Sequence, residues 1–300
     1  MKSATADSKD EIFPYSHWMP LVNSLHNKYT HASPFPHIII ENFLTPQTIE
    51  EALLAFPSLG SADWIHYIHL NEKKFGKNEK STFHPALRNV VDELNSDRFV
   101  GFLTELTGIK GLFADESLEG GGLHQSGPGG YLNIHADFTS HPHHRDWHRR
   151  VNVLVYLNKN WENKYNGHLE LWDRKMRRRV RKTAPVFNRC VIFNTDEDAF
   201  HGHPKPLACP PGMTRKSIAL YYYVKHAEPK LMRVRSTNYK ARPYDGFKSI
   251  LIYADKLVVA LYDRVKRIFG FNDKIASKLL GIAHHISSKF KSIFKSKKKK

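Results

Sequence analysis

His135 and Asp137 set an imidazole and a carboxylate two positions apart, inside the stretch from Gly127 to Arg150. In an extended chain, side chains at i and i+2 point to the same face. One nitrogen and one oxygen ligand can therefore converge on a metal ion from a single strand end. Further on, Phe200-His201-Gly202-His203-Pro204 offers a second imidazole, and Arg215 opens the run Lys216-Ser217-Ile218-Ala219-Leu220-Tyr221-Tyr222-Tyr223. Two imidazoles and one carboxylate suit a mononuclear Fe(II) centre, because they leave positions open for a co-substrate and O2. An Arg on the following strand would hold a carboxylate co-substrate by a bidentate pair. His201 and His203 share a parity, so spacing does not choose the distal ligand.

A lone His-x-Asp carries little weight among 19 histidines in 300 residues. The order of features is far more specific: His-x-Asp, then about 65 residues, His-Gly, then about 14 residues, Arg-x-Ser. Between them lie Tyr156-Leu157-Asn158 with Trp161, then Gly167-His168-Leu169-Glu170-Leu171, then the run from Pro185 to Phe193. This order resembles the Fe(II)/2-oxoglutarate-dependent dioxygenases, in particular their prolyl 4-hydroxylase-like branch, from roughly Pro34 to Lys225. The resemblance implies Fe(II) held by His135, Asp137 and His201, which leaves His203 as a pocket residue. It implies 2-oxoglutarate beside the iron, bound by Arg215 and Ser217, with O2 as second co-substrate and ascorbate as a reductant. The reaction implied is hydroxylation of an unactivated C–H bond with release of succinate and CO2. Tyr131 and Asn133 share the face of His135 and are expected to line the co-substrate pocket; Asn152 is an inward strand residue of the same standing. Collagen-type prolyl hydroxylases use a lysine at shorter spacing, so Arg215 speaks against a strictly prolyl substrate. The substrate stays open: a protein side chain such as prolyl, a lipid-linked sugar or a small metabolite.

Three other readings compete. A cupin-like metal isomerase or epimerase would keep the ligands but needs no Arg215–Ser217 anchor. A nucleic-acid demethylase of the same superfamily usually carries a second Arg six positions after the first, where this chain has Tyr221. A non-catalytic, membrane-recruited binding module would bind no iron. The loop with His141, His143, His144 and His148 matches no zinc spacing and has no cysteine beside it; it reads as a substrate-facing or solvated loop. The glycines at 120–122 and 127–130 lack a phosphate-loop Gly-Lys-Ser/Thr and a β-α-β setting, so they read as turns. No nucleophile elbow supports a hydrolase.

The elements that must position these residues follow from patterning. Hydrophobic residues make up 41% and aromatic residues 12%, a globular composition. Cys190 and Cys209 form no disulfide framework and suit a reducing compartment. With no membrane-spanning run and a polar start at Met1 to Glu11, the chain is expected in the cytoplasm. Residues 1–33 read as an arm or short helix, Phe35 to Leu44 as a strand, and Pro46 to Phe56 as a helix capped by Thr45. Pro85 to about Leu94 and Asp97 to Thr107, the latter capped by Ser96 before Gly108, read as helices packed outside a sheet. From Gly120 the texture changes to short strands at 131–135, 151–157, 168–172, 180–187, 189–194 and 215–224. The expected class is mainly β with flanking helices. The resemblance makes the core, about 120–225, a double-stranded β-helix or jelly roll within an oxygenase domain at 34–225.

A polar linker at 226–246 then leads to a basic amphipathic tail at 247–300. The net charge of +17 is uneven. Residues 241–300 hold 15 Lys/Arg against 4 Asp/Glu, the rest 31 against 25, and seven of those 31 fall in the run Arg174 to Lys182. Phe247, Ile250, Leu251, Ala254, Leu257, Val258, Leu261, Val265 and Ile268 follow one helix face. A second stretch carries Ile275, Leu279, Ile282, Ile286, Phe290 and Ile293, with lysines on its other faces and Lys297 to Lys300 at the end. Residues 272–300 are expected to meet an anionic membrane surface; nucleic acid is the competing acidic partner.

Overall fold

The structure, a computed structural model, describes residues 11–60, 63–226 and 235–269. Its first part is more than an arm. Helices α1 (Tyr15–Trp18) and α2 (Val22–Thr30) bury Tyr15, Trp18, Val22, Leu25 and Tyr29 in the main core, and Phe13 joins them. Strand β1 (His37–Ile40) follows, then helix α3 (Pro46–Leu54). Thr45 occupies the cap position of α3, but its hydroxyl bonds to Thr48 Oγ1 and not to a helix amide. Next come a hairpin that the sequence pattern did not reveal, β2 (Ile65–His69) with β3 (Glu72–Lys77), and helices α4 (Pro85–Asn95) and α5 (Asp97–Thr107).

Both helices are bounded by recognisable chemistry. Ser96 Oγ accepts from the Phe99 amide, and Gly108 ends α5 in the left-handed region at φ 73°, where a Cβ would be strained. Leu87, Val90, Val91 and Leu94 of α4 share one face with almost no exposure, as do Phe99, Phe102, Leu103 and Leu106 of α5. Each such side chain contributes about 1.5–3 kcal/mol when fully buried.

The remaining strands are β4 (Phe113–Ala114), β5 (Gly122–Ser126), β6 (Tyr131–Ala136), β7 (Trp147–Tyr156), β8 (Leu169–Trp172), β9 (Arg179–Thr183), β10 (Arg189–Asn194), β11 (His201–His203), β12 (Arg215–Lys225) and β13 (Asn238–Tyr239). All pairings are antiparallel. One run, β10-β7-β12-β5, and a second, β6-β11-β8-β9, are joined by β3, which pairs with both β5 and β6. This is a jelly-roll core with flanking helices. Alternation along β7 shows why it has two sides. Val151, Val153 and Val155 pack toward the helices, while Tyr156 and Leu154 turn inward against Leu169, Leu171, Val191 and Phe193. Tyr222 of β12 ties the layers together, donating its hydroxyl to the Leu94 carbonyl at 2.6 Å.

Within 226–246, read as a linker, Asn238 and Tyr239 form β13 on the edge of β6. Helix α6 (Lys248–Phe269) follows and is held by polar bonds. The Asp255 carboxylate accepts from the Asn71 amide at 3.2 Å and from Asn71 Nδ2 at 2.7 Å, and lies 2.7 Å from His69 Nδ1. The stretch 272–300, expected to meet a membrane, lies outside the described residues, as do residues 1–10. Among the described residues no helix is long and apolar enough to cross a membrane. Cys190 and Cys209 are both free thiols.

Candidate metal centre

His135 and His201 come together because β6 and β11 are neighbours and these two residues are register partners. Their rings lie 4.5 Å apart, centroid to centroid. The Nδ1 of each lies 2.9 Å from a backbone carbonyl two residues earlier, Asn133 for His135 and Ala199 for His201. A carbonyl can only accept, so Nδ1 carries the proton and Nε2 keeps its lone pair, the state a metal ligand needs. Both Nε2 atoms turn to Asp137: His135 at 3.3 Å from Oδ1 and His201 at 3.5 Å from Oδ2. One donor atom from each of the three residues fits within 4.8 Å of the others, and no other three-ligand group occurs among the described residues. Burial lowers the His201 pKa to about 4, against the pull of Asp137, so its imidazole is neutral at pH 7.

Asp137 is held from behind. Arg149 Nη2 lies 3.0 Å from Oδ2, and Asn152 donates to the same oxygen at 2.8 Å. Arg149 in turn donates to Asn152 Oδ1 through Nε and Nη2, at 3.0 and 2.8 Å, with its guanidinium stacked 3.4 Å over the Tyr221 ring. Burial by itself would raise the Asp137 carboxyl, but the Arg149 guanidinium beside it outweighs this and holds it well below the usual carboxylate range. The carboxylate is therefore charged and oriented before any ion arrives.

The three ligands open onto a cavity of about 80 Å³, room for about five to eight water-sized groups. That suits a small diacid and not a folded segment. Arg215, Ser217, His203, Leu154 and Leu169 line it as well. Arg215 is buried; Nε donates to the Gly167 carbonyl at 2.8 Å and Nη2 to Tyr156 Oη at 3.3 Å. Among the described residues no carboxylate lies within ion-pair distance of it, and burial lowers its pKa. A buried cation without a counter-charge is costly, so this wall is built for an anion. Gly167 makes the bond feasible: at φ 69° a Cβ there would sit 2.5 Å from Leu207 and 3.1 Å from Arg215 Cδ. Ser217 is buried, opposite His124 of β5 and Tyr156 of β7.

One expectation needs correction, and it fails at a bulge. Between the pairs His201–His135 and His203–Leu132, β11 advances two residues and β6 three. The extra residue reverses the side-chain alternation, so Leu132 accompanies His135 on the cavity wall. Tyr131 and Asn133 do not line that wall. Tyr131 Oη donates to the Leu70 carbonyl at 3.1 Å, and Asn133 Nδ2 donates to Asn71 Oδ1 at 3.0 Å, both at the β2–β3 turn. Gly202 lets the strands meet there, since a Cβ would lie 2.7 Å from the Asn133 carbonyl oxygen. The second bulge is in β7, where Tyr222 faces Val151 but Tyr223 faces Arg149. It swings Arg149 onto the face of Asn152, a placement that spacing alone does not show. Lys74, paired with Glu72 at 3.2 Å, also lines the cavity, brought there by the unforeseen hairpin. The histidine loop is not simply solvated: His141 is buried, with Nε2 3.5 Å from Asp115.

No curated protein matches the sequence. Among solved structures, a prolyl-4-hydroxylase from Pseudomonas putida is 13% identical with a TM-score of 0.49, covering 69% of this chain and 100% of that one. A prolyl hydroxylase from Trichoplax adhaerens, in complex with a hypoxia inducible factor peptide fragment, is 21% identical with a TM-score of 0.46, covering 69% and 93%. HygX from Streptomyces hygroscopicus, with nickel, 2-oxoglutarate and hygromycin B bound, is 12% identical with a TM-score of 0.45, covering 68% and 92%. None of these likenesses bears on what this chain acts on. Residues 121–223 match the 2OG-Fe(II) oxygenase superfamily. His135, Asp137 and His201, close enough to one another to hold a metal ion, all lie inside that stretch.

Proposed function

We propose that this protein is an Fe(II)- and 2-oxoglutarate-dependent hydroxylase acting on an unactivated C–H bond. The observation that carries the reading is Arg215: a buried guanidinium with no carboxylate partner among the described residues, on the wall of the cavity that His135, Asp137 and His201 open onto. The donor set fits the metal, because both imidazoles present Nε2 and Asp137 is held ionised. When bound together, Fe(II), 2-oxoglutarate and O2 supply oxidation of a C–H bond coupled to decarboxylation of the co-substrate to succinate. The chain's own part is positioning. His135, Asp137 and His201 would hold the ion, a three-residue set that suits Fe(II) with a co-substrate. Arg215 would pair with the distal carboxylate of 2-oxoglutarate, with Ser217 as a neutral donor. Arg149 and Asn152 keep the Asp137 carboxylate oriented, while Leu132, Leu154 and Leu169 keep that wall dry.

The test is turnover with Fe(II), 2-oxoglutarate and ascorbate across prolyl peptides, glycans and small metabolites. The expected result is stoichiometric succinate and a product heavier by one oxygen. Iron binding with no succinate from any member of the panel would overturn the assignment.

A further inference from the structure

Helix α6 is amphipathic, but it docks by the wrong side. The usual rule puts the apolar stripe against the protein and the polar face in water. Here the anchoring side is polar: Asp255 is bonded to Asn71 and His69, and the Ile252 carbonyl accepts from Asn71 Nδ2 at 3.1 Å. Among the described side chains of this helix, Ile252 is the one apolar residue that is buried, at 1% exposure. The apolar stripe faces outward: Phe247 is 76% exposed, Ile250 59%, Leu257 72%, Val258 59% and Leu261 64%. Exposed Leu251 and Ala254 fill the gap between Ile250 and Leu257, so at 3.6 residues per turn these positions form one continuous face. Rolling the helix inward would break the bonds to Asn71 and His69, so the exposure belongs to the fold. A contiguous apolar patch of this kind marks an interaction surface.

We infer that this face docks on an anionic lipid bilayer, lying in the headgroup region. Charge selects that partner. Residues 241–300 carry 15 Lys/Arg against 4 Asp/Glu and end in four lysines. A lysine-rich helix with an apolar face suits the boundary of an anionic membrane. The same charge opposes pairing of the stripe with a second copy of this chain. Exposed Tyr253, four residues before Leu257 and so next to the stripe, suits the headgroup level, and nucleic acid would have no use for the leucines. The surface is independent of the hydroxylase reading, since none of its residues lines the metal cavity.

The experiment is vesicle flotation of the full chain, comparing phosphatidylcholine vesicles with and without phosphatidylserine, at low and high salt. Wild type should float only with phosphatidylserine, and less as salt rises. Leu257→Asp/Leu261→Asp should lower partitioning by about tenfold or more, with melting temperature and Co(II) binding unchanged. Three results would overturn the inference: no flotation of wild type; equal flotation of the double variant, meaning charge alone; or a lower melting temperature or a dispersed dimer in the variant, meaning that the stripe is covered by residues 270–300 or by a second copy.

Discussion

Arg215→Ala separates co-substrate binding from metal binding and from folding. In the ligand-free protein the guanidinium is buried and makes only two bonds to neutral acceptors, the Gly167 carbonyl and Tyr156 Oη. Removing it forfeits those bonds but also relieves a desolvated charge, so the net change in stability should stay within about 1–2 kcal/mol. With co-substrate bound the balance differs. A carboxylate paired with Arg215 would lose that cation, at a cost of about 2–5 kcal/mol, or about 30- to 4,000-fold in affinity at 1.4 kcal/mol per decade. The assay is thermal unfolding of the Co(II)-loaded protein with and without 2-oxoglutarate, alongside the cobalt absorption spectrum. At a hundredfold excess over its dissociation constant, 2-oxoglutarate stabilises wild type by about 2.7 kcal/mol, and the same concentration should stabilise the variant by less than about 1 kcal/mol. The cobalt spectrum should not change. Equal 2-oxoglutarate stabilisation in both proteins would refute the assignment and move the anchor to Lys74, the next cation on the cavity wall.

Alanine at His135, Asp137 or His201 should abolish Co(II) and Fe(II) binding, while His203→Ala should keep it; metal loss in His203→Ala with retention in His201→Ala would reverse the distal ligand. His69 is the pH-sensitive anchor of α6: burial lowers its pKa, but bonds to Asp255 and Glu72 outweigh this and raise it from 6.5 to about 9. Because the folded value lies above the unfolded one, its stabilisation, about 3 kcal/mol at most, is complete below pH 6.5 and is lost as pH rises through about 9. Melting temperature should therefore fall more steeply between pH 6.5 and 9 in wild type than in His69→Gln, and parallel slopes would rule the contribution out.

The chemistry was written in residue types and their order. His135, Asp137, His201 and Arg215 point to the proposed ligand set and anchor, because few other arrangements need those side chains in that succession. The helices α4 and α5 were legible for a related reason: apolar periodicity, a Ser cap and a terminal Gly are local signals. What spacing could not supply was parity beyond a bulge. One extra residue in β6 exchanged Tyr131 and Asn133 for Leu132 on the cavity wall, and one in β7 placed Arg149 beside Asn152. A bulge leaves no mark in a pattern of period two until the partner strand is known. The β2–β3 hairpin was hidden because histidines and lysines occupy positions where apolar residues would show alternation, and so Lys74 went unseen. The apolar stripe of α6 was plain in the sequence, but its direction was not. Periodicity defines a face; which face meets the protein was decided by Asp255, through bonds to Asn71 and His69 about 185 residues away along the chain. Residue chemistry and local order belonged to the sequence, whereas parity across bulges and the facing of a helix came only from partners that the folded chain brings together.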